Sequence, residues 1–75
     1  MTVQEAAKIF HKDPNWIRAG IIAGWLPIGV ATRKGEKVTD ISKMNSRYGR
    51  INYFISDELV YRFMKKGADN ETGSI

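Results

Sequence analysis

Residues 1–26 read MTVQEAAKIF HKDPNWIRAG IIAGWL, and they decide the first half of the fold. Val3, Ala6, Ala7 and Phe10 recur at helical spacing, and so do Ile17, Gly20, Ile21 and Gly24. Two such stripes predict two amphipathic helices, each burying one face. Thr2 followed by Glu5 makes a capping box, in which hydroxyl and carboxylate each satisfy an open amide of the first turn. The first helix then runs to about Phe10. Asp13 followed by Pro14 is a second start signal, with Asp13 as N-cap and Pro14 at the first helical position. That helix ends near Ala23, with Gly24 as the left-handed residue that closes it. Only a tight turn fits between the two. Helix, tight turn, helix is the pattern of a helix-turn-helix, whose second helix lies in a DNA groove.

Beyond Trp25-Leu26-Pro27, where proline stops the helix, the character changes. Residues 29–32, GVAT, read as a short strand, and residues 33–37, RKGEK, as a polar turn containing glycine. The stretch 39–49 is rich in Ser, Asn and Lys and carries little pattern. Residues 50–55, RINYFI, are the best strand, with Ile51, Tyr53 and Ile55 on one face. Residues 28–55 therefore predict a β-hairpin with a long tip, a wing. Ser56 caps a third helix with Asp57 and Glu58 in its first turn, where negative charge suits the helix dipole. Leu59, Val60 and Phe63 are expected in the core, and Trp25 is expected there too. Lys65 and Lys66 suit the last turn, and Gly67 ends the helix. The expected fold is α+β: a winged helix-turn-helix domain over residues 1–67, with residues 68–75 a disordered tail.

Composition narrows the function. Seventy-five residues make one domain, which at this size buries only about 60% of its extended surface. With 43% hydrophobic residues and eight aromatics the chain has material for a core. There is no cysteine, which excludes a thiolate metal site, and His11 is the one histidine, so a histidine-based zinc site or a serine-histidine-aspartate triad has almost nothing to work with. No metal and no cofactor is expected. No apolar run approaches the roughly 20 residues that span a bilayer, and no basic segment precedes the first apolar residues, as a secretory signal requires. The protein is expected in the cytoplasm of a bacterial host. Net charge is +4, and omitting residues 68–75 leaves 12 bases against 6 acids. A small body that basic points to an anionic partner, nucleic acid first, although a merely soluble surface is the plainer alternative.

On the second helix, 100° per residue places Asn15, Arg18, Ala19 and Ile22 opposite the buried stripe, with Trp16 on the flank. A helix facing water alone would carry several charges there. Arginine pairs with guanine, asparagine with adenine or a phosphate, and alanine and isoleucine with a thymine methyl. The competing reading is an ordinary surface helix with Ile22 in a core contact. Trp16 fits either a sugar-phosphate contact or partial burial. In the wing, Arg33, Lys34, Lys37, Lys43 and Arg47, with Arg50 beyond, suit phosphates or a narrow minor groove. Glu36 and Asp40 interrupt them, so a solvated loop is the other reading. The acids are accounted for by helix starts or lie in the loop, and no carboxylate pair, phosphate loop or nucleophile-base arrangement is present. The chain does not read as an enzyme.

Residues 2–8 (TVQEAAK), 14–18 (PNWIR), 24–29 (GWLPIG) and 53–56 (YFIS) resemble the small excisionases of phages and integrative elements, whose winged helices are like the DNA-binding domains of the MerR superfamily. The likeness spans residues 2–66. It implies a recognition helix at 14–23, a wing at about 30–50, and a recombination directionality factor that bends DNA at repeated sites beside an attachment site to assist an integrase. By position, Arg18 would enter the major groove and Arg33 or Lys34 would serve the wing. The stretch 33–50 is longer than the smallest wings, and Ile22 and Ala23 stand where polar residues are the pattern. A small transcriptional repressor or activator on the same fold is one alternative. No dimerisation helix is read after residue 67, which leans toward excisionase. A protein-interaction module such as an antirepressor, using Ile22 and Trp16, is another.

Overall fold

The computed structural model describes residues 1–45, 47 and 49–74, with side chains as far as Lys65. Its elements run α1 (Val3–Phe10), α2 (Pro14–Ala23), β1 (Gly29–Arg33), β2 (Glu36–Lys37), a short 3₁₀ turn (Ile41–Lys43), β3 (Asn52–Ile55) and α3 (Asp57–Ser74). This is the expected α+β, winged helix-turn-helix layout. The helix starts form as their residues require. Thr2 Oγ1 accepts from the Glu5 amide at 3.1 Å while Glu5 Oε1 accepts from the Thr2 amide at 3.1 Å. Asp13 Oδ1 accepts from the Asn15 amide at 2.7 Å. Ser56 Oγ accepts from the Leu59 amide at 3.3 Å. His11 and Gly24 close α1 and α2 in the left-handed conformation.

The sheet has three antiparallel strands in the order β2-β1-β3. β1 pairs with β3 across the long connection, Ala31 opposite Tyr53 and Val30 opposite Phe54, as the wing reading requires. The additional element is β2. Arg33 pairs with Glu36 across a two-residue turn, and Lys34 and Gly35 both have positive φ. That is the turn whose twist matches the strands it joins. So β1 is a central strand and the hairpin tip is tight; the length lies between β2 and β3.

The core gathers Val3, Ala6 and Ala7 of α1, Ile17, Ile21 and Ile22 of α2, Leu26, Ile28, Ala31, Val38, Ile55 and Val60. Alternation along β3 puts Ile55 in and Phe54 out. Three expectations are corrected. Leu59 is exposed, because Val60 and Phe63 occupy the side of α3 that meets the body. Trp25 is 49% exposed, because the left-handed turn at Gly24 sends Leu26 inward and its neighbour out. The third helix does not stop at Gly67 but continues to Ser74. A glycine costs a helix only about 1 kcal/mol, and no proline follows to end it. No described helix is long and apolar enough to cross a membrane.

Candidate nucleic-acid interface

Helix α2 is held on several sides, by α1, by β1 and by the 3₁₀ turn. This explains the chief correction to its expected groove face. Ile22 is 2% exposed and belongs to the core, so it is removed from the candidate DNA contacts. A helical wheel assumes one covered face; here the start of the connection between β2 and β3, with its 3₁₀ turn, packs on α2 as well and covers a second. Ile22 and Leu26 accordingly border a cleft shared with Gly29, Lys37 and Thr39. What remains open on α2 is Asn15 and Ala23, with Ala19 half-buried between them. These are small groups at four-residue spacing, and they allow another surface to approach the helix backbone closely.

Arg18 is half-buried at the edge of this strip. Its Nη1 donates to Asn15 Oδ1 at 2.9 Å, so the guanidinium and the amide expected to read bases are already joined. Trp16 is half-buried and belongs to an aromatic run. Its ring lies 5.9 Å from Phe10 and 4.9 Å from Trp25, and Phe10 in turn lies 5.8 Å from Phe63. Lys12 Nζ sits 5.5 Å above the Trp16 ring. Of the two readings of Trp16, partial burial is the arrangement present, with a cation stacked beside it.

The wing residues divide. Lys34, Lys37, Lys43 and Arg47 are exposed, as is Arg50. Arg33 is half-buried, and its guanidinium turns back onto the chain, donating to the carbonyls of Gly49 and Asn45. Arg33, Lys37 and Lys43 border one concavity with Glu36 and Asp40. Asp40 is drawn into a local turn, accepting from the Ser42 amide at 2.9 Å and hydroxyl at 2.7 Å. These bonds hold its carboxyl below its ordinary pKa.

Tyr53 is expected from the sequence as a strand position and as part of the 53–56 junction, and not as a candidate site residue. Burial raises its phenol above the ordinary range, while the positive fields of Arg18 and Arg33 oppose that rise. The signal of Tyr53 in the sequence was the two-residue phase it shares with Ile55. Among the described residues no group of three His, Asp or Glu side chains is placed to hold a metal ion, and no buried polar side-chain atom lacks a partner. Comparison with protein-family models, with curated proteins and with solved structures finds no match.

Proposed function

We propose that this chain binds and bends double-stranded DNA as a winged helix-turn-helix protein, and that it serves as the excisionase of a phage or mobile element, beside an integrase. The observation that carries the DNA-binding part is the composition of α2's open strip and its surroundings. Asn15, Arg18, Ala19 and Ala23 present an amide, a guanidinium and two methyl-sized groups, and α2 itself carries no acid. Asp13, the nearest carboxylate in sequence, is spent as the N-cap. Exposed Lys34, Lys37, Lys43, Arg47 and Arg50 follow in the wing and its connection.

Such a strip suits the major groove. Arg18 forks onto a guanine while Ala19 meets a thymine methyl. The wing cations neutralise phosphates and fix the register. One module buries only about 600–1,000 Å² on DNA, so protomers on repeated sites supply the remaining affinity. The excisionase role rests on the sequence resemblance. An antirepressor-like module loses its ground, because Ile22 is interior and Trp16 is packed between Phe10 and Trp25.

The test is selection of bound sequences from a randomised duplex pool, followed by Arg18→Ala on the winner. The expected loss is about 1–3 kcal/mol of specific binding, with relaxation at one base position. Unchanged affinity with the fold intact removes α2 as the reading helix. A palindromic winner bound by a solution dimer would indicate a repressor or activator instead.

A further inference from the structure

We infer that Arg33 is a positioning residue: it clamps the connection between β2 and β3 and thereby sets where Arg47 and Arg50 stand against the DNA backbone. Its consequence for DNA rests on the binding proposal above; the clamp itself is a matter of the free protein.

Arg33 is the last residue of β1, in phase with buried Ala31, so its stem leaves from the inner side of the sheet at the point where the core ends. From there Nε donates to the Gly49 carbonyl at 3.2 Å and Nη2 to the Asn45 carbonyl at 3.0 Å. These two donors lie on one edge of the planar guanidinium, which is the edge that grips two acceptors at once. A single ammonium has no such fork. The grip is matched from the loop. Gly49 has φ +111°, where a side chain is strained, and a Cβ built there stands 3.8 Å from Arg33 Cδ. Glycine therefore supplies the backbone shape that aims its carbonyl at the arginine.

The link to the exposed cations runs through Asn45. Its carbonyl is held by Arg33, and its side-chain Oδ1 accepts from the Arg47 amide at 3.0 Å. Gly49, the other anchored residue, directly precedes Arg50. Both exposed arginines thus follow within two residues of a carbonyl that Arg33 holds. Between Asp40 and Asp57 the sequence carries no acid, so the clamped stretch presents Lys43, Arg47 and Arg50 as a purely cationic series.

The experiment uses the full chain as Arg33→Lys, which keeps the charge and removes the fork, and as Arg33→Ala. In the free protein, amide hydrogen exchange is read residue by residue. Exchange at Arg47 is expected to quicken about tenfold or more in both variants, while the amides of Ile17 and Ile21 keep their protection as a check on the fold. Binding is then read on a fluorescent duplex of mixed sequence against salt. A lost single phosphate contact lowers the slope of log affinity on log salt by about 0.9. Arg33→Ala is expected to exceed that, and to have no further effect in an Arg47→Ala/Arg50→Ala background. Unchanged exchange at Arg47 overturns the clamp, and so does a slope change near 0.9 that adds to that of the double variant. Absence of salt-dependent binding by the unsubstituted chain overturns the DNA-binding proposal and the DNA half of this inference, while the exchange result still decides the clamp.

Discussion

Gly20→Ala pits two well-calibrated effects against each other at one position. Gly20 lies in the middle of α2, where alanine gains about 1 kcal/mol over glycine in helix propensity. The space argues the other way. A Cβ at Gly20 would stand 2.7 Å from Leu26 Cβ and 3.0 Å from two ring carbons of Trp25. The Trp25 ring is half-exposed and can swing aside. Leu26 cannot: its side chain is fully buried, and its amide is bonded to the Gly20 carbonyl at 3.1 Å. Relieving the overlap means moving backbone, and overpacking of this kind costs about 1–3 kcal/mol. The balance is a net loss of about 1 kcal/mol, which in a domain of this size lowers the melting temperature by about 4–8 °C. Thermal unfolding followed by far-ultraviolet circular dichroism measures it. Repeating the substitution in a Trp25→Ala background isolates Leu26, and the loss should persist there. A melting temperature raised by Gly20→Ala would show that α2 and its exit are not packed this closely.

Other substitutions reach other parts of the fold. Gly29→Ala sets a Cβ onto the backbone carbonyl of Phe54; β1 and β3 must part, and the chain is expected to lose cooperative unfolding altogether. Ile22→Val should lower stability by about 1 kcal/mol while leaving DNA affinity per folded molecule within twofold, as measured by paired melting and binding titrations. The carboxyl of Glu5 is held below its ordinary 4.5, first by the Thr2 amide and then by the Thr2 hydroxyl. A depressed carboxylate contributes stability above its unfolded pKa and loses it as the pH falls through the folded one. Denaturant titrations across the acid range below that value should therefore show a shallower loss for Glu5→Gln than for the unsubstituted chain.

What was legible in the sequence was local. Thr2 with Glu5, Asp13 with Pro14, Gly24 and Ser56 act within one turn of the backbone, so their spacing alone carries the helix boundaries. Alternation likewise marked β3, because Tyr53 and Ile55 differ from Asn52 and Phe54 in where they point. The misread residues answer to distant parts of the chain. Ile22 is buried because residues far along the sequence fold back over α2. β2 is only two residues long, too short for a pattern, and forms because Lys34 and Gly35 turn the chain tightly beside an existing strand. The role of Arg33 depends on carbonyls 12 and 16 positions away, which no spacing rule connects to it. Trp25 was misplaced because size suggested burial, whereas the turn at Gly24 decided its direction.

The aromatic run through Phe63, Phe10, Trp16 and Trp25 gives the protein a built-in optical probe. The two indoles stand 4.9 Å apart with their planes 66° from one another, close enough and oblique enough for their transitions to couple into a near-ultraviolet dichroic signal. That signal depends on fixed side-chain geometry and vanishes when packing loosens even though helices remain. Because the run joins α3, α1, α2 and the exit from α2, one spectrum reports on the packing of all three helices without a label.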